Sequence, residues 1–324
     1  KVEINSAFFH HKIEVALEKR SELLQTNTNS YRLLFGENDG FPGFIADVYY
    51  NVLVVKLYSE IWLPYLEPIL ESLQQISNAK TVVMRLSRNL QNSKNHNFKD
   101  GEVIFGTLEN QVVEFVEHDV KFSANVIKGH KTGYFLDHRA NRRRVGILSK
   151  GKSVLDVFSY AGGFSVHALA NGATEVTSLD ISKQALDMAR ENGKLNAYSG
   201  QHKTISGDAF EEMKGLIKKG KTYDVVVIDP PSFAKQQSEI ELAKKKYAQL
   251  AELGEKLTSK NGLLVLASCS SRVLAEDFFD LNERVLNAQS RLFETELKTK
   301  HDSDHPIAFA EGAYLKCGYY RFLE

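Results

Sequence analysis

Cysteine is scarce in this sequence: Cys269 and Cys317 are the two among 324 residues. Two thiols cannot build a disulfide framework, and their scarcity suits a reducing cytoplasm, which is the expected location. Net charge is missing too. Lysine plus arginine number 41 and aspartate plus glutamate 41, so no molecule-wide basic field draws in nucleic acid. A polyanionic partner has to be held by local patches. No apolar run is long enough to cross a bilayer, and no signal peptide is visible, so no membrane association is expected. The ten histidines include no H-E-x-x-H pattern. No Cys/His group has zinc spacing, and no metal is expected. Internal repeats and low-complexity segments are also lacking.

What is present is an ordinary globular mixture, 43% hydrophobic and 25% charged, with length for two domains. A helix is predicted over 7–24, where Phe8, Ile13, Leu17 and Leu24 share a face. Strands are predicted over 31–35 and 52–58, with turn chemistry at Asn38-Asp39-Gly40 and Pro42-Gly43 between them. A helix over 64–75, a strand over 81–86, a flexible loop over 87–100 and strands over 111–117 and 120–124 complete a small α+β domain, residues 1–125. From Lys152 strand-like runs alternate with helical stretches, the pattern of a parallel sheet covered on both faces. Strands are expected at 154–158, 175–180, 204–207, 223–229 and 262–269, with two more at 293–298 and 313–322. Helices are expected at 163–170, 182–194, 209–219, 239–256 and 275–287. The second domain is set at 126–324.

In an open α/β sheet, ligands bind beyond the carboxyl ends of the strands, where the strand order reverses. The polar residues of this half gather at those ends. Asp156 is late in the first strand. The turn Tyr160-Ala161-Gly162-Gly163 follows, and its glycines let backbone approach a ligand. Asp180 ends the second strand, where a carboxylate accepts hydrogen bonds from ribose hydroxyls. Asp208 ends the third, where it or its neighbouring backbone meets an adenine amino group. Asp229-Pro230-Pro231 ends the fourth. Taken singly, a Gly-Gly turn is just a turn and an acid after a strand a helix cap. Their joint order points to a nucleotide-like ligand. A nicotinamide dehydrogenase is disfavoured, because the G-x-G-x-x-G that cradles a pyrophosphate is absent. S-adenosylmethionine, which has no pyrophosphate, is the expected cofactor.

The motifs D-V-F-S-Y-A-G-G-F-S, S-L-D-I-S, G-D-A-F and D-P-P-S-F resemble those of class I methyltransferases acting on RNA. H-K-T-G-Y-F-L-D-H-R (His130–Arg139), S-C-S (Ser268–Ser270) and D-H-P followed by E-G-A-Y-L-K (Asp304–Lys316) resemble bacterial 23S rRNA cytosine-5 methyltransferases that carry an N-terminal PUA domain. Tyr31-Arg32-Leu33 and the Gly36–Gly43 stretch are similar to that family's central domain. The resemblance covers nearly the whole chain. It departs at the start, since the sequence begins at Lys1, near the helix that would follow the PUA module. A segment upstream of Lys1 is left open, and with it the mode of RNA docking.

The resemblance implies a Rossmann-like, mostly parallel seven-stranded sheet. It also implies a cofactor site made of Asp156, Phe158, Tyr160, Gly162, Gly163, Asp180, Ile181, Asp208, Ala209, Asp229 and Pro230. It makes Cys269 the nucleophile that adds to carbon 6 of cytosine, turning carbon 5 into an enamine-like nucleophile toward the sulfonium methyl. Asp229 would hydrogen-bond the ring nitrogen, and would need to carry a proton to do so. Ser232 stands where some RNA cytosine methyltransferases place a second cysteine, so a single-cysteine mechanism is expected. Pro231, Phe233, Arg139 and Arg142 are the expected substrate contacts. The competing reading of Cys269 is a small inert residue at a strand end; Cys317, in an apolar strand, is read that way. The runner-up chemistry is methylation of a base nitrogen, with Phe233 stacking the base and no thiol. A further alternative is an RNA-binding or assembly protein that no longer reacts. Arg139, Arg142 and Arg143 share a helix face and suit phosphate contact or active-site organisation. The lysines at 218, 219 and 221 and at 244–246 suit solvated helix faces. Ribosomal RNA is the expected partner; the oligomeric state stays open, a homodimer included.

Overall fold

The computed structural model describes residues 3–323. They form two units. One comprises the chain through His138 together with Asp302–Ala310, and the other comprises Arg139–His301 and the chain from Glu311 onward. The boundary expected after residue 125 therefore falls after His138, and a late segment joins the first unit.

In the first unit, α1 (Ser6–Glu18) and the single turn α2 (Ser21–Leu24) precede β1 (Ser30–Phe35), β2 (Phe44–Tyr49) and β3 (Val52–Leu57). There follow α3 (Leu66–Ser77), β4 (Thr81–Leu86), the short α4 (Arg88–Gln91), β5 (Glu102–Phe105), and the hairpin of β6 (Val112–Glu117) and β7 (Val120–Asn125). Strands β1 to β5 pair in chain order, antiparallel except β3 with β4. A parallel pair needs a crossover, and α3 supplies it. The core gathers Phe9, Ile13, Phe41, Phe44, Leu53 and Leu73.

The single helix expected over 7–24 is broken, and the break has a cause. Asn5 caps α1 by accepting from the Phe8 amide. The helix stops at Glu18, and Arg20, wholly buried, turns inward. Its guanidinium donates to Asp39 Oδ2 (2.6 Å) and Oδ1 (3.1 Å), and to the carbonyls of Ala16, Arg32 and Asp304. Asp304 in turn accepts from the Arg32 amide through Oδ2 at 2.9 Å, and His305 packs on Phe35 with ring centroids 5.1 Å apart. These contacts fasten Asp302–Ala310 to the first unit. Strands β2 and β5 were not foreseen. β2 carries a buried acid, Asp47, made tolerable by Arg32 (2.8 Å) and the Thr132 hydroxyl. β5 is a short edge strand with a mostly solvated face.

The second unit opens with α5 (Arg139–Leu148), then β8 (Ser153–Val157), α6 (Gly163–Ala170), β9 (Glu175–Asp180), α7 (Lys183–Lys194), β10 (Gln201–Ser206), α8 (Ala209–Lys218) and β11 (Tyr223–Ile228). It closes with α9 (Ile240–Leu257), β12 (Thr258–Ser268), α10 (Ala275–Ala288), β13 (Phe293–Thr299) and β14 (Lys316–Phe322). The seven strands lie in the order β10-β9-β8-β11-β12-β14-β13. They run parallel until β14, which is antiparallel to both its neighbours. Val225 to Ile228 are all buried, as a strand covered by helices on both faces requires. The order reverses between β8 and β11, which sets the switch point beyond the carboxyl ends of those strands. Among the described residues no helix is long and apolar enough to cross a membrane.

Candidate active site

The chain leaves β8 through a strained turn. Phe158 (φ 63°) and Tyr160 (φ 48°) both adopt left-handed backbone without being glycine. Each costs roughly 1–2 kcal/mol, and strain of this kind gathers at ligand sites. Gly162 (φ 78°) caps α6, and a Cβ on it would stand 2.7 Å from the Ala189 Cβ. Both the backbone and the close approach of α7 therefore demand glycine.

Asp156, on β8, is fully buried. Its Oδ2 accepts from the Ser165 amide (3.0 Å) and hydroxyl (2.6 Å). Ser165 continues to Ser178 (2.6 Å), and Ser178 to His202 Nε2 (2.8 Å). Burial, then the charge of Arg190, pushes the His202 imidazole down to about 4, which keeps it neutral. The other Asp156 oxygen, Oδ1, has no hydrogen-bond partner. Burial pushes the Asp156 carboxyl up to about 7; Ser165 opposes this, and the negative charges of Asp229 and Asp180 add to it. Three carboxylates thus converge at the switch point, and one has an unsatisfied buried oxygen.

Asp180 closes β9 and binds the turn: Oδ2 accepts from the Tyr160 amide (2.9 Å) and Oδ1 from the Ser182 amide (2.8 Å). A carboxylate has about four acceptor positions, so capacity remains for ribose hydroxyls. Ile181 beside it is 75% exposed, a large apolar side chain set at a strand end. Asp208 differs from expectation. β10 closes at Ser206, and Asp208 is the N-cap of α8, its Oδ1 accepting from the Glu211 amide at 3.1 Å. Ala209 behind it is buried.

The ends of β11 and β12 lie side by side. The Asp229 amide donates to the Val157 carbonyl on β8 (3.3 Å). Pro230 is buried and Pro231 exposed. Cys269, half-buried, points its thiol at the Pro230 carbonyl, with Sγ 3.9 Å away. The flanking serines hold it. The Ser268 hydroxyl donates to the Tyr247 oxygen (2.9 Å), the Ser270 amide donates to Ser268 Oγ (3.3 Å), and the Ser270 hydroxyl reaches the Ala234 carbonyl (3.5 Å). Cys317 is wholly buried in β14, and burial pushes its thiol far up. Tyr247, central to this arrangement, was missed in the sequence, where it is one aromatic on an amphipathic helix.

The expected substrate contacts differ in exposure. Arg139 and Arg142 are buried, so the arginine run forms no continuous cationic surface; Arg143 and Arg144 are exposed. Phe233 is half-buried, its ring 5.2 Å from that of Tyr247 and under the Lys246 ammonium at 4.9 Å. Lys244 pairs with Asp277 at 2.9 Å.

A sheet with this strand order and one reversed strand next to its edge, bearing its acids beyond the switch point and no dinucleotide fingerprint, defines the α/β methyltransferase class. A family model for S-adenosylmethionine-dependent methyltransferases matches residues 31–313. A ribosomal RNA large subunit methyltransferase of Deinococcus radiodurans is 42% identical over 97% of this chain and 79% of its own. Ribosomal RNA large subunit methyltransferase I of Shewanella frigidimarina is 34% identical over 97% and 80%. In fold, the chain superposes on a protein described as a methyltransferase and crystallised with S-adenosylhomocysteine (TM-score 0.83, 23% identity, 99% of this chain and 83% of that one). It also superposes on a tRNA m1G37 methyltransferase of Methanocaldococcus jannaschii (TM-score 0.59, 16% identity, 97% and 78%). This chain belongs to the S-adenosylmethionine-dependent methyltransferase family. Its residues fit that cofactor: its two cationic centres, the ammonium and the sulfonium, answer three convergent carboxylates and the unsatisfied Asp156 oxygen.

Proposed function

We propose that the protein methylates carbon 5 of a cytosine in large-subunit (23S) ribosomal RNA, with Cys269 as covalent nucleophile. The observation that carries this reading is the Cys269 thiol, half-exposed and 3.9 Å from the carbonyl of the Asp229-Pro230-Pro231 segment. A thiol there shares the cofactor's strand ends, whereas Cys317 is sealed in the sheet. The names of the Deinococcus and Shewanella relatives support ribosomal RNA as the substrate.

Bound S-adenosylmethionine supplies an electrophilic methyl group. The chain's own residues do the rest. Asp180 and Ile181 hold the adenosine, with Asp208 and Ala209 at the adenine. Asp156 and the Phe158–Gly163 turn hold the methionine portion. Cys269 forms a bond from sulfur to carbon 6 of the base, so carbon 5 gains the electron pair that takes the methyl. Loss of the carbon 5 proton to a base restores the double bond and expels the Cys269 thiolate. Asp229 hydrogen-bonds the ring edge, and Pro230 and Pro231 shape the slot that admits it.

Cys269→Ala tests this, read by mass spectrometry of nucleosides from 23S rRNA treated with the purified enzyme and S-adenosylmethionine. Loss of 5-methylcytosine formation is the expected result, with cofactor affinity unchanged. Near-normal transfer by the variant would sink the covalent mechanism and leave methylation of a base nitrogen as the better reading.

A further inference from the structure

Cys269 is held by its serines and also by a buried ammonium. Lys316 opens β14 and is 2% exposed. Its Nζ donates to the carbonyls of Ser270, Val273 (2.5 Å) and Tyr314 (3.2 Å). An ammonium has three protons. All three are taken, so none is left to give to a substrate. Two of the acceptors belong to the segment that runs from Cys269 toward α10.

A buried charge with no carboxylate beside it is an expensive way to fasten a loop. A methionine of similar length would fill the same space without a charge to desolvate, so the charge calls for a reason. Burial pushes the Lys316 ammonium down to about 8, and the influence that pulls it back up is Cys269. Such coupling is mutual: the charge that a thiolate stabilises also stabilises the thiolate.

We propose that Lys316 is a positioning residue for the methyl transfer: it fixes the backbone that follows Cys269 and keeps a positive charge at the Ser270 carbonyl, one residue along from the sulfur, so that Cys269 meets the base as a thiolate. This rests on the reading of Cys269 as nucleophile. The displaced proton goes to solvent, which the half-exposed residue reaches. The titratable groups around this place include Asp229, Tyr247 and Cys317. Tyr247 is pushed up to about 12 by burial and stays neutral, as does Cys317.

The test is the pH dependence of Cys269 alkylation by iodoacetamide in the full chain, followed on its peptide by mass spectrometry. An ordinary thiol titrates near ~8.5. The wild-type midpoint is expected below that value. Lys316→Met is expected to raise it and to slow alkylation at pH 7 by on the order of tenfold, the effect of about one unit. Lys316→Arg, which keeps the charge, is expected to stay near wild type, and Lys316→Gln serves as a second neutral variant should the methionine protein not fold. A wild-type midpoint at or above the ordinary value overturns the proposal with no variant needed. So does a midpoint that neutral substitution leaves unmoved. Full activity in Cys269→Ala would instead remove the nucleophile reading while the alkylation shift stayed readable.

Discussion

Replacing Gly162 with alanine separates backbone strain from steric contact at the cofactor turn. The new Cβ would meet the Ala189 Cβ at 2.7 Å, the Ala189 Cα at 3.1 Å and a Val166 methyl at 3.4 Å. Neither alanine atom is the end of a flexible side chain, so α7 itself has to move. Overpacking of this sort costs roughly 1–3 kcal/mol. The left-handed φ of 78° adds about 1–2 kcal/mol for any residue with a Cβ. Together the expected loss is about 2–5 kcal/mol, read by urea denaturation followed by fluorescence and circular dichroism. Cofactor affinity measured by calorimetry should fall as well, because the turn is displaced. Ala189→Gly removes the tightest contact and leaves the strain. Alone it costs about 1 kcal/mol, as glycine does within a helix. In the double variant the two changes should couple favourably by about 1–3 kcal/mol, the clash share of the loss. Strict additivity would refute the steric half of the reasoning, and an unaltered stability in Gly162→Ala would refute both halves.

Two further perturbations follow from buried charges. Asp156 holds its proton up to about 7, far above its unfolded value, so the cofactor-free protein should lose stability as pH rises toward 7, and Asp156→Asn should flatten that window. A cationic cofactor favours the ionised form; binding near pH 7 should therefore release protons, seen as a calorimetric enthalpy that varies with buffer and vanishes in Asp156→Asn. Burial alone would raise the Asp39 pKa, but the hydrogen bonds and charge of Arg20 hold it below the usual range. Its stabilising contribution is present above that range and lost as pH falls through it. Arg20→Met leaves that carboxylate with Lys19 (2.9 Å) as its remaining cation and should cost about 3 kcal/mol at pH 7, measured by chemical denaturation, with the deficit shrinking in acid as Asp39 takes up a proton.

The second unit was legible because its signals are local and repeated. Short β-branched runs such as Val225–Ile228 read as strands buried on both faces, and the acids at their ends mark the switch point whatever the distant packing. The first unit was less so. Strand β2 hides an aspartate whose tolerance depends on Arg32 and Thr132, and the break in the first helix depends on Asp39 and Asp304, all remote in sequence. The site divides along the same line. Gly162 and Asp180 act through their own turn and could be read in order. The burial of Arg139 and Arg142 and the placement of Tyr247 are products of packing that no spacing encodes.

The fastening of Asp302–Ala310 to the first unit bears on how the chain is made. Arg32 and Asp304 stand 272 positions apart, yet the amide of one rests on the carboxylate of the other. Ribosomes add about 5–20 residues per second. The stretch around Arg32 therefore waits roughly 15–55 s for the segment that satisfies it, with Arg20 and Asp39 already paired and the partner of the Arg32 amide not yet synthesised. The first unit is completed only once Asp302–Ala310 has been made, so its exposed interval during synthesis spans nearly the whole translation of the second.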